Sequence, residues 1–179
     1  MDFQDIKIEE LSWEKIDLEK VFVQIPFLYS PVLQELKRKE SLIREVFLHI
    51  NLELVEKMEV LLSLLRIFNI PDILTEVENV FTFTYLDKSV EIKFTHSGLM
   101  FEGTCELPRC KLVFSENLSY IKIEKNDGKE SIIALPEGDG FYYLNLDKKE
   151  SSEEERLSII GHPLVLKEKY NWLMEHIHG

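Results

Sequence analysis

Two cysteines, Cys105 and Cys110, are all that 179 residues contain, too few for the disulfide framework of a small secreted domain. No secretory leader is expected either: Asp2 and Asp5 follow Met1 where such a leader needs basic and then apolar residues. Hydrophobic runs are short. The longest, Val60 to Phe68, is broken by Ser63 and Arg66 and reaches about half of the roughly 20 residues that cross a bilayer. These shortages predict a protein kept in a reducing cytoplasm, with no membrane insertion.

Basic side chains are also scarce, 21 against 33 acidic ones, for a net charge of −12. That charge repels phosphate backbones and anionic lipid at long range. It argues against nucleic acid as a partner and leaves basic protein surfaces and cations open. Glycine is sparse and nowhere forms a phosphate loop or dinucleotide fingerprint, and neither a nucleophile elbow nor a zinc-protease pair occurs. No cofactor is expected. The histidines and cysteines show no second pair at ligand spacing, so no metal is expected either.

What is present divides into three stretches. Residues 1–79, which carry most of the acid excess, read as a helical region. Met1 to Glu10 alternates weakly and suits a short strand or an ordered arm. Ser12 can cap a first helix carrying Ile16 and Val21 inward, with Pro26 as its stop. Ser30-Pro31 is a second helix start, and Val32, Leu36, Ile43, Phe47 and Ile50 recur at spacings of three, four or seven. Asn51 can end that helix and cap the next, which runs to Phe68 and is apolar on nearly every side. A width of that kind suits either an intramolecular core or a seam with a second copy. Pro71-Asp72 begins a short helix through Val77.

In residues 80–146 the period becomes two. Phe81, Phe83 and Tyr85 alternate with threonines, Val90, Ile92 and Phe94 alternate with Glu91, Lys93 and Thr95, and a third run extends from Leu99 to Cys105. Three hairpin-linked strands are expected there. Further runs cover Lys111 to Phe114, Tyr120 to Glu124, Ser131 to Leu135 and Phe141 to Leu146. With short links throughout, they predict an antiparallel β meander of about six to seven strands, forming a curved sheet or open barrel. Residues 147–179 read as C-terminal helices packed on the sheet, with Pro163 starting the last and His162 at its N-cap position. The fold class is α+β, in one domain or a domain with a helical extension.

No motif names a reaction, and the candidate residues follow from position alone. Phe83, Phe94, Phe101 and Tyr142 can line a pocket between a curved sheet and a helix. Leu61, Leu64, Phe68, Phe141 and Tyr143 supply apolar anchors for a partner. Cys105 and Cys110 flank Glu106-Leu107-Pro108-Arg109 and can face each other across a hairpin, as ordinary strand residues or as a redox pair. These features favour a non-enzymatic protein-interaction module, such as an adaptor, regulator or chaperone-like binder. Its partner would be a protein with a basic surface, or a second copy bound through the apolar helix. The alternatives are a small-molecule-binding protein and an enzyme using a cysteine or the Glu137/Asp139 turn.

Overall fold

Seven residues in the first third of the chain, Glu45-Val-Phe-Leu-His-Ile-Asn51, determine the architecture. Val46, Leu48 and Ile50 are buried and alternate with the more exposed Phe47 and His49, the two-residue period of a strand with one face covered. A computed structural model of the chain describes residues 4–7, 21–115, 118–135 and 161–177. In it this segment is β3, at the centre of an eight-stranded mixed sheet.

Chain order begins with β1 (Gln4–Lys7) and β2 (Val21–Gln24), which pair in parallel as a separate two-stranded sheet. A 3-10 turn over Pro26–Tyr29 leads into α1 (Pro31–Arg38), a second 3-10 turn spans Glu40–Leu42, and β3 follows. Next come α2 (Lys57–Phe68), β4 (Ile73–Val77), β5 (Val80–Thr84), β6 (Ser89–Thr95) and β7 (Phe101–Glu106). The sheet is completed by β8 (Cys110–Ser115), β9 (Tyr120–Lys125) and β10 (Glu130–Ala134), and α3 (Pro163–His176) closes the described chain. The strand order is β10-β9-β8-β7-β3-β6-β5-β4.

The expected helix-then-meander architecture is therefore corrected. The helix expected to run from Pro31 to Ile50 ends at Arg38, and β3 inserts between β6 and β7, parallel to β6 and antiparallel to β7. A purely antiparallel meander is excluded by that parallel pair. Its crossover is the long path through α2, β4 and β5, as parallel neighbours require. Thus β5 and β6 form a hairpin, whereas the Leu99–Cys105 run pairs with β3 and not with β6. Two further segments read as helix are strands: Val21–Gln24 is β2, and Ile73–Val77 is the edge strand β4, paired with β5. The run at residues 141–146 lies outside the described residues, as does the Ser12 helix start.

Asn51 holds the interruption in place. Its Nδ2 donates to the Gly98 carbonyl at 3.0 Å, and its Oδ1 accepts from the Glu53 amide at 2.9 Å. The side chain thus ties the link between β6 and β7 across the end of β3 instead of capping α2. At the opposite end Arg44 N–H donates to the Glu106 carbonyl and the Arg44 carbonyl accepts from Ser89 N–H. Lys88, almost fully buried, donates to the Glu40 carbonyl at 3.0 Å and ion-pairs with the Glu40 carboxylate.

One sheet face carries the core. Val46, Leu48 and Ile50 join Val90, Ile92 and Phe94, with Phe81 and Phe83 on one side and Phe101, Cys105, Leu112 and Phe114 on the other. Against them lies α2, whose Val60, Leu61, Leu62, Leu64, Leu65 and Phe68 are buried and which also contacts α1 and α3. This explains its broad apolar surface without a second copy. Displaying Leu61, Leu64 and Phe68 to a partner would cost about 1.5–3 kcal/mol for each side chain uncovered, in total comparable with a domain's whole stability.

At Gly103 β7 leaves no room for a side chain against β3. A Cβ there would lie 2.4 Å from the Phe47 carbonyl oxygen, 2.8 Å from Phe114 Cε2 and 2.9 Å from Leu48 Cδ2. A backbone atom cannot step aside as a side-chain tip can, so overpacking at the usual cost of about 1–3 kcal/mol is expected. Gly103→Ala should lower the urea midpoint accordingly with an unchanged m value, and an unshifted midpoint would show that β7 does not pack on β3 in this register.

Candidate functional site

Among the described residues, those proposed from sequence as a pocket or partner surface do not assemble into one. Phe83, Phe94 and Phe101 are buried to within a few percent. Phe94 meets Phe81 edge to face at 5.5 Å and Phe101 meets Phe27 in the same way at 6.1 Å. They fill the space between sheet and helices that a ligand was expected to occupy. Leu61, Leu64 and Phe68 are buried in the same core, while Phe141, Tyr142 and Tyr143 lie outside the described residues.

Cys105 and Cys110 are both free thiols. Register sets Leu112 opposite Cys105 and Lys111 opposite Glu106, which leaves Cys110 on the diagonal of the same face. Diagonal neighbours are about 7–8 Å apart at Cα, beyond the usual reach of a disulfide. Direct facing across the hairpin is thereby corrected. Burial, with Cys110 and Glu106 close by, pushes the Cys105 thiol up to about 12. Among the described residues no three His, Cys, Asp or Glu side chains gather where they could hold a metal ion.

The opposite face of the sheet is where polar chemistry collects. On it β6, β3, β7 and β8 align Lys93, His49, Glu102 and Ser115 in one row, and Glu91, Phe47, Thr104 and Val113 in the next. Both rows line a concavity of about 490 Å³ that Leu118 closes at one end. Phe47, 40% exposed, is its apolar floor. Glu102 Oε1 lies 3.4 Å from His49 Nδ1. The carboxylate favours the proton on Nδ1 and so leaves Nε2 as an acceptor. That Nε2 is sheltered from solvent and has no hydrogen-bond partner, a situation that costs about 1–3 kcal/mol for a buried polar atom.

Sequence reasoning missed His49, Glu91, Lys93 and Glu102. His49 fell inside the segment misread as helix. The other three had been placed in strands, but their alternation is what any solvated sheet face shows, and nothing local distinguishes a concave face from a flat one.

No protein-family model matches the chain, and no curated protein is similar to it in sequence. Solved structures do resemble it. A dehydrogenase (MviM) from Clostridium difficile superposes with a TM-score of 0.61 over 98% of this chain and 71% of its own, at 11% identity. An oxidoreductase from Thermotoga maritima gives 0.52 over 86% and 58%, at 9% identity. A super-repressor mutant of Gal80p from Saccharomyces cerevisiae gives 0.53 over 98% and 71%, at 10% identity. The chain shares the fold of these proteins.

That likeness to dehydrogenase and oxidoreductase structures, together with the burial of Leu61, Leu64 and Phe68, corrects the expectation of a non-enzymatic interaction module. Identities of 9–11% carry the fold and no activity. The likeness raises the question of a dinucleotide, whose pyrophosphate needs open N–H groups at a helix N-terminus and glycines that admit it. The helix N-termini described here do not fit one. The β3–α2 link, residues 52–56, has no glycine and carries Glu53 and Glu56, with Glu59 in the first turn; its negative charge opposes an anion. Glu59 is committed internally, accepting from Phe27 N–H at 2.8 Å. At α1 the N-cap Ser30 is fully buried and Pro31 offers no N–H. At α3 the His162 ring accepts from Leu164 N–H at 3.2 Å, in front of Pro163.

A thiol raised to about 12 stays protonated at pH 8, where only about one molecule in ten thousand carries the reactive thiolate. Burial disfavours the charged form, so its reactivity rises only as pH climbs toward that value. A colorimetric thiol reagent at pH 8 should titrate the partly exposed Cys110 in the native protein and Cys105 only after denaturant is added. Two rapid equivalents from native protein would contradict the buried setting of Cys105.

Proposed function

We propose that this chain is the substrate-bearing part of an oxidoreductase, with the open face of the sheet as its substrate site and His49 as its proton-handling group. One observation carries the reading: His49 Nε2 is buried without a partner while Nδ1 faces Glu102 at 3.4 Å. An imidazole held in one tautomer by a carboxylate, with its other nitrogen unpartnered beside a concavity, suits a group that accepts the proton of an alcohol or returns one to a carbonyl oxygen. The likeness to oxidoreductase structures supports it. Glu102 acts here as a positioning residue, holding the ring.

The hydride acceptor is no part of this site, because the three described helix N-termini do not fit a pyrophosphate; the reading assigns it to another segment or another chain. A cytoplasmic location belongs to the same proposal, since a reducing compartment suits the two free thiols.

The test is ligand-observed NMR with a panel of small alcohols, hydroxy acids and their carbonyl counterparts, against wild-type protein and His49→Gln. Because His49 is half-exposed on the open face, the variant should keep its thermal midpoint within about 2 °C. Binders should lose about tenfold or more in affinity, the value of one hydrogen bond to a site group. Binders whose affinity is indifferent to His49→Gln would contradict the reading.

A further inference from the structure

Lys93 gives the open face a chemical preference that His49 alone does not. Its position in β6 is paired with His49 in β3, so the two side chains rise from neighbouring strands about 4.8 Å apart. Lys93 is exposed and lines the concavity, and among the described residues it pairs with no carboxylate. Lys57, Lys88 and Lys122, by contrast, have carboxylate partners. Glu91 lies two residues before Lys93 on the same face and beside Phe47. An acceptor nitrogen, an ammonium group one position along the row and an apolar ring beneath make a three-point pattern.

We infer that the substrate of this site is a small monocarboxylic acid bearing a hydroxyl or keto group on the carbon next to the carboxylate. The inference rests on the reading of His49 given above. The carboxylate meets the Lys93 ammonium in a charge-assisted hydrogen bond, which sets the adjacent hydroxyl beside the His49 ring, and the hydrocarbon end lies on Phe47 and Val113. Side chains on adjacent strands about 4.8 Å apart can each hydrogen-bond one of two polar groups carried on adjacent carbons. Glu91 and Glu102 set the limit. A second carboxylate on the ligand would face one of them, so dicarboxylic acids are disfavoured. The net charge of −12 repels such ligands further.

The test compares 2-hydroxybutyrate with its neutral amide, followed through the His49 ring resonances of full-length protein, for wild type, Lys93→Met and Lys93→Arg. Sedimentation velocity on the same samples reports the oligomeric state. The inference predicts at least tenfold tighter binding of the acid than of the amide, loss of that preference in Lys93→Met and its retention in Lys93→Arg. It also predicts a dependence on salt, as expected of an exposed ion pair. Equal binding of acid and amide, with His49 still perturbed by both, would overturn the inference and leave the His49 reading standing. Failure of both ligands to move the His49 resonances would overturn the two together. So would a dimer that holds His49 out of solvent, since the face would then be covered by a second copy.

Discussion

Pairing of β3 with two different partners is the constraint on which the rest of the structure depends. On one side it runs parallel to β6 and on the other antiparallel to β7. A strand with neighbours on both sides satisfies its backbone donors and acceptors within the sheet, and with one face against α2 it aligns Val46, Leu48 and Ile50 with the core. Moving it by one residue would turn those three outward and bring Phe47 and His49 in. Asn51 at one end, and Arg44 with the buried Lys88 near the other, oppose such a slip.

Function, on this account, is a consequence of the same register. The pleat that buries Val46 and Leu48 lifts Phe47 and His49 to the other face, where β6 and β7 contribute Lys93 and Glu102 on either side. The helices lie across the sheet from this concavity. Their own termini are closed in different ways: carboxylates at α2, proline and burial at α1, and a histidine ring at α3. A fold shared with oxidoreductases and with a repressor does not select an activity. The argument for chemistry therefore rests on the His49–Glu102 pair and its setting.

Much of the sheet was legible in the sequence because its signals are local. Phe81 and Phe83, and Val90, Ile92 and Phe94, declare their period without any knowledge of partners, and Pro163 behind His162 declares a helix start. The central strand was not legible. Residues 31–50 satisfy two periods at once, since Ile43, Phe47 and Ile50 continue the helical spacing of Val32 and Leu36 while Val46, Leu48 and Ile50 alternate. No glycine or proline stands at the break after Arg38. The choice is made by neighbours 40 to 60 residues downstream, the tertiary override that makes strand preference so dependent on context. Missing β3 hid the site as well, because a concave polar face exists only once β6 and β7 are known to flank it. The apolar aromatics were read in the correct strands but assigned to a pocket that they themselves fill.

The central claim is that residues 45–51 form a strand between β6 and β7, and nuclear Overhauser contacts in isotope-labelled protein test it most directly. The account predicts backbone contacts from 45–51 to both 89–95 and 101–106, in parallel and antiparallel patterns respectively, with none of the sequential contacts of a helix. Helical contacts running unbroken from residue 31 to residue 50, with no cross-strand partners, would contradict it.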